Sequence, residues 1–180
     1  DRGAQAEVNI DLDMLAGARL TSITAGRYWD AINGRDFDFS TADLIYMSPQ
    51  KDESYARVKS FSQEIHLSGS TAKLDWLVGG FYSNETIDRN ESYRIGAAYE
   101  PYLSIGLLSM INPALAGLPN AATFMADATG RPYGTVFAGL GALDRYKQEA
   151  RSTALFTNNT WHATEALDVT MGLRYTRETK

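Results

Sequence analysis

Strict alternation of apolar and polar residues is the feature that most narrows the folds open to this chain. In the closing stretch, Leu167, Val169, Met171, Leu173 and Tyr175 alternate with Asp168, Thr170, Gly172, Arg174 and Thr176. Successive side chains of a strand point to opposite faces, so this stretch reads as a strand with one apolar and one polar face. The period recurs along the chain. Ala6, Val8, Ile10 and Leu12 alternate ahead of Ala18–Trp29. Phe61, Ile65 and Leu67 share one face of Val58–Leu67, and Ser62, Glu64 and His66 share the other. Leu74, Trp76, Val78, Gly80 and Tyr82 share a face of Leu74–Ser83, and Arg151–His162 precedes Leu167–Arg177.

Three hairpins follow, over about 4–29, 57–83 and 145–177. Their internal joins are short: "DMLAG", "SGSTAK" (with Gly69 available for a positive φ) and "ATEA". The connections between hairpins, about 30–56 and 84–150, are far longer. Compact soluble domains rarely hold structureless loops beyond about 15 residues. Ala18–Trp29 and Arg151–His162 also outrun the usual soluble strand of about 5–6 residues, whereas a tilted membrane-crossing strand needs about 9–11. Tight turns on one side and long loops on the other are the asymmetry of an outer-membrane barrel. The predicted fold is therefore all-β: an antiparallel up-and-down meander, about six strands of a large transmembrane β-barrel, with short helices in the long loop. Six strands fall below the usual minimum of about eight for such a barrel, so both chain ends read as cuts through a larger protein.

Local signals refine this. Asn112 with Pro113, and Asn120 with Gly130 ten residues on, mark one or two short helices. Thr135–Leu143 is compatible with strand or helix. Register stays open in two strands: neither face of 18–29 is cleanly apolar, and in 151–162 Leu155 with Trp161 competes against Ala154 with Phe156. Trp29, Trp76, Tyr82, Trp161 and Tyr175 fall near strand ends, as the aromatic girdles of a barrel do.

Composition excludes several function classes. The formal net charge is −5 and no basic run occurs, so no nucleic-acid partner is expected. Without cysteine there are no disulfides or thiolate metal sites. No apolar run approaches the roughly 18 residues of a membrane helix. Glu64 and His66 form a carboxylate–imidazole pair of the kind that does acid–base work, but a polar strand face is the favoured explanation. His162, at a tight turn, reads as surface. Asp36, Asp38 and Asp43 are spaced like ligands for a hard cation but lack the EF-hand order. Tyr93, Tyr99, Tyr102, Tyr133 and Tyr146 in the long loop either stack on a ligand or pack the loop on itself. No phosphate-loop motif is present. The expectation is no enzyme, no cofactor, and no catalytic or metal residue.

The segment Ser62-Gln63-Glu64-Ile65-His66-Leu67-Ser68, a turn, then Asp75-Trp76-Leu77-Val78-Gly79-Gly80-Phe81-Tyr82 resembles the barrel of TonB-dependent outer-membrane receptors, with His66 where arginine is usual. "ALFTNNTWHATEALDVTMGLRYTRETK" is similar to another hairpin of that family, and "RLTSITAGRYWD" with "GRDFD" to a third. The resemblance implies part of a 22-stranded barrel in the cell outer membrane. Such barrels surround an N-terminal plug pulled by TonB and import a scarce ligand, commonly a ferric siderophore. The implied partners are outer-membrane lipid, the rest of the barrel, the plug, TonB and a small ligand. The matched motifs are scaffold, so no residue is carried over as ligand-binding. A plugless, diffusive porin and a soluble β-rich module are the alternatives.

Overall fold

The computed structural model describes residues 1–13 and 17–180; Met14, Leu15 and Ala16, within the expected "DMLAG" join, lie outside the described residues. The fold is mostly antiparallel β-sheet with two α-helices. Among the described residues eight strands occur in chain order: β1 (Arg2–Leu12), β2 (Ala18–Ile32), β3 (Arg35–Asp36), β4 (Ile45–Met47), β5 (Tyr55–Ser70), β6 (Leu74–Ile95), β7 (Gly141–Thr164) and β8 (Leu167–Thr179). Helices α1 (Tyr99–Ile111) and α2 (Asn120–Thr129) lie between β6 and β7. The long strands neighbour one another as β1-β2-β5-β6-β7-β8, the expected meander, and among the described residues the sheet is not closed. The chain forms two compact units, one of 1–30, 57–88 and 147–180, the other of 31–56 and 89–146.

In the first unit the faces can be traced strand by strand. β1 and β2 pair with Val8 opposite Ser22, Ile10 opposite Leu20, and Arg2 opposite Tyr28. Gln63 of β5 donates to the Ser22 hydroxyl at 3.0 Å and accepts from the Thr24 hydroxyl at 2.5 Å, which puts Phe61, Gln63, Ile65 and Leu67 on that face too. The Phe61 and Tyr82 rings lie 6.5 Å apart, bringing in Leu74, Trp76, Val78 and Tyr82 of β6. In β7 and β8, Leu155 pairs with Tyr175, Thr157 with Leu173, Asn159 with Met171 and Trp161 with Val169. A Cβ on Gly80 would lie 3.7 Å from Leu155, which joins this pair of strands to the same face. One predominantly apolar face thus runs across all six strands, and it is uncovered: Met171 and Leu155 are each 67% exposed, and Leu173 76%.

The opposite face is mainly polar. It carries Glu7, Asn9, Thr21, Ser62, Glu64, His66, Asn158, Thr160, Thr170 and Arg174. Ile23, Phe81 and Phe156 interrupt it. Gly79 is required here, because a Cβ would come within 2.6 Å of the Phe156 ring and 2.7 Å of His66 Cβ.

Both open registers are therefore resolved. Leu155 and Trp161 lie on the apolar face, Ala154 and Phe156 on the other. Trp29 alternates with Tyr28 and so lies on the polar face, with Tyr28 on the apolar one. Gly69 is a correction, since it sits inside β5 rather than in the turn. A Cβ there would approach the Trp76 ring to 2.7 Å, so this glycine makes room for an indole.

The loop boundaries also move. β6 continues to Ile95 and β7 begins at Gly141, so the expected loop of 84–150 contracts to 96–140. Thr135–Leu143 is neither all strand nor helix; it is turn up to Leu140 and strand from Gly141. The Asn112–Pro113 signal produces a single 3-10 turn, with Asn112 Oδ1 accepting from Ala114 N at 3.0 Å. Asn120 begins α2 rather than capping it, and Gly130 closes that helix at φ 65° as expected. Helix α1, and the short β3–β4 pair inside 31–56, were not foreseen.

Candidate functional site

The polar face of the first unit carries a shallow hollow of about 540 Å³ near the tight turns, lined by Asp11, Arg19, Ser68, Asp75, Asn158 and Thr170 among others. That residues of six strands line one hollow means this face is concave. Hydroxyls and carboxamides dominate it. Thr160 and Thr170 hydrogen-bond across β7 and β8 at 2.9 Å, and Thr21 donates to Asn9 at 2.7 Å. The Arg174 guanidinium lies 5.6 Å from the Phe156 ring and 5.5 Å from Phe81, a stacked cation on the concave side.

His162 lies at the tight turn, partly exposed, with both ring nitrogens engaged. Its Nδ1 lies 2.8 Å from Asp168 and its Nε2 3.2 Å from Asp75, while its backbone N donates to the Lys73 carbonyl at 2.9 Å. Ser70 donates to Asp75 in turn. The imidazole thereby ties the β5–β6 turn to the β7–β8 hairpin. The nearby Ser70 hydroxyl is engaged by the Asp75 carboxylate rather than by the imidazole. The Glu64–His66 pair predicted from sequence is formed, at 3.2 Å, half-buried on the polar face.

In the second unit, β4 pairs with β6 (Met47 opposite Tyr93) and β3 with β4 (Arg35 opposite Met47), so Arg35, Met47 and Tyr93 share a face. There the Arg35 guanidinium stacks 4.7 Å from the Phe37 ring, and Phe37 lies 5.2 Å from Tyr93. The Tyr93 hydroxyl donates to Glu91 at 2.7 Å, and Arg89 pairs with Glu91. The Tyr93 bond, helped by Arg89 and Arg35, holds the Glu91 carboxyl below the ordinary carboxylate range. The same bond, with burial, pushes the Tyr93 phenol up. A hollow of about 360 Å³ lies among Asn33, Arg35, Met47, Arg89 and Glu91. Two guanidiniums around one carboxylate, beside two aromatic rings, suit a small anionic or polyhydroxylated ligand. Sequence reasoning singled out Tyr93 alone of this group.

The acidic loop resolves differently from a cation site. Asp38 accepts from the backbone N of Ser40 and Ile45 and from the Ser40 hydroxyl, and these bonds lower its pKa to about 2. Asp43 Oδ2 accepts from Ala97 N at 2.9 Å, and Asp36 accepts from Asp38 N at 3.1 Å. All three carboxylates thus cap backbone N–H groups. Of the loop tyrosines, Tyr99 packs edge-on to Phe137 at 5.9 Å and Tyr133 bonds Ser104 at 2.8 Å, whereas Tyr102 is 68% exposed. Beneath them Glu100 is buried, with Oε2 accepting from Val136 N at 2.7 Å. Among the described residues no three His, Cys, Asp or Glu side chains converge as metal ligands.

Comparison with protein-family models, with curated proteins and with solved structures returned no match.

Proposed function

We propose that this chain supplies a length of outer-membrane β-barrel wall to a TonB-dependent receptor that binds and imports a scarce ligand, with a ferric siderophore the favoured cargo. The observation that carries the reading is the exposed, predominantly apolar face across six strands, interrupted by Ser22, Thr24, Gln63, Thr157 and Asn159 and backed by a polar face. In water such a face is a large unfavourable exposure; against lipid it is the normal outer surface of a barrel. Its height supports this. Leu167 to Tyr175 is eight residue steps, about 27 Å of strand at about 3.4 Å per step. At a tilt of about 40° that spans about 21 Å of membrane, close to the apolar band of about 25 Å in known barrels. Leu74 to Tyr82 repeats the same spacing. Trp76 and Trp161 sit toward one margin, and Tyr28, Tyr82 and Tyr175 toward the other.

The receptor assignment rests on the sequence resemblance, and the Arg35–Arg89–Tyr93 cluster is the part best suited to meet an anionic ligand. The two free sheet edges, β1 and β8, would pair with further strands to close the barrel. Uptake tests the function. Cells carrying the full-length protein should take up ferric siderophore in a TonB-dependent way, and deletion of residues 96–140 should alter that uptake. Uptake that survives loss of TonB would favour a diffusive porin, and recovery of the protein in the soluble periplasmic fraction would sink both barrel readings.

A further inference from the structure

Just beyond the apolar band, on the same face, β1 and β2 form an amphipathic groove. Ala4 and Gly26 are register partners there, between the Arg2–Tyr28 pair and the Ala6–Thr24 pair. With only a methyl and a hydrogen at that level, the surface dips into a hollow of about 520 Å³ whose lining is almost wholly apolar. Two cations close its end. The Arg2 guanidinium lies 4.8 Å from the Tyr28 ring centroid, and the Lys59 ammonium 5.8 Å from the same centroid. Among the described residues neither is ion-paired with a carboxylate, unlike the next cation along, Arg57, which engages Asp30 at 3.1 Å. Tyr28 and Lys59 also line an adjacent hollow with Asp88, Lys147 and Glu149, so Arg2 and Lys59 meet on the Tyr28 ring at the margin of a mixed-charge surface.

We propose that Arg2, Tyr28 and Lys59 form a binding site for the phosphate of an anionic lipid, with one acyl chain lying along the Ala4–Gly26 groove toward Val8 and Ile10. The inference rests on the membrane-wall reading and adds a ligand to its outer surface. The chemistry is complementary at both ends. A phosphate takes charge-assisted hydrogen bonds from a guanidinium and an ammonium. A chain leaving it downward meets small side chains and then the apolar band. The Tyr28 ring holds both cations at the rim, where they would otherwise swing into solvent.

The test is native mass spectrometry of the full-length protein released from detergent, titrated with phosphatidate, with the matching diacylglycerol that lacks phosphate, and with inorganic phosphate. Phosphatidate should be retained in preference to diacylglycerol. Arg2→Gln and Lys59→Gln should each weaken phosphatidate by about tenfold, the scale of one charge-assisted contact, and leave diacylglycerol unchanged. Gly26→Val narrows the groove without touching a charge, and the backbone has room for its Cβ, whose nearest atom, the Ser60 carbonyl oxygen, is 3.9 Å away; unchanged circular dichroism checks its fold. This variant should weaken both lipids. Equal retention of phosphatidate by wild type and the glutamine variants overturns the site, as does displacement of the lipid by an equal concentration of inorganic phosphate. Failure of the underlying reading is distinguishable, because the wild-type protein would then carry no detergent belt at all.

Discussion

Substituting Met171 by arginine separates a lipid-facing wall from a water-facing sheet. Met171 lies midway between Leu167 and Tyr175, the margins of the apolar band on β8, and pairs with Asn159. It is 67% exposed and touches little of the protein. On a soluble sheet, exchange of so exposed a side chain changes stability by no more than about 0.5 kcal/mol. At the midplane of a bilayer the same arginine costs about 2–4 kcal/mol, falling to about 0–1 near the interfaces. Arginine at Tyr175, four steps further along the strand, should therefore cost far less, although Tyr175 is 72% exposed and on the same face. The assay is equilibrium unfolding of the full-length protein from phospholipid vesicles, followed by tryptophan fluorescence. A depth-dependent penalty, large at 171 and small at 175, is the expected result. Equal and negligible effects at both positions would refute the argument.

Ser54, fully buried, receives the backbone N–H of Ser92 at 3.2 Å. Ser54→Ala strands that donor and should cost about 1–3 kcal/mol, read as earlier proteolysis within 31–56 and 89–146. Asp38, lowered from 3.8 to about 2 by its hydrogen bonds, contributes stability that is present above its unfolded pKa and lost as pH falls through about 2. An NMR titration of the Asp38 carboxyl should give a midpoint near 2, and Ser40→Ala should move it upward; a midpoint unmoved by that change would refute the assignment of the bond.

How far the sequence carried depended on what each face of a strand touches. Where one face is apolar and the other wet, as in Leu167–Tyr175 or Leu74–Tyr82, the period of two is unmistakable. It vanishes in "NETIDRNESYRI" of β6 and "GALDRYKQEA" of β7, because polar residues occupy both faces there. Periodicity alone therefore assigns those extensions to loop. Helix α1 has no side-chain cap, a proline at its third residue and a glycine at its centre, so neither a boundary nor an amphipathic stripe advertises it. Gly141 gave no motif signal, yet a Cβ there would run into the Tyr93 carbonyl oxygen. The candidate contacts were partly legible. Asp168 lies within reach of His162 through hairpin register alone, but Asp75 is 87 residues away and only the strand order brings it near. The Arg35–Arg89–Tyr93 cluster depends on the short β3–β4 pair, whose two and three residues are too few to show a period.

Accessibility along β8 tests the central claim most directly. The 180 residues hold no cysteine, so single cysteines from position 168 to 175 of the full-length protein can be labelled in intact cells. A water-soluble maleimide should modify 168, 170, 172 and 174 and spare 169, 171 and 173 until the protein is unfolded, because a thiol facing hydrocarbon stays protonated and unreactive. Rapid modification of Met171→Cys and Leu173→Cys by the water-soluble reagent, as fast as at 170 and 172, would contradict a wall that faces lipid.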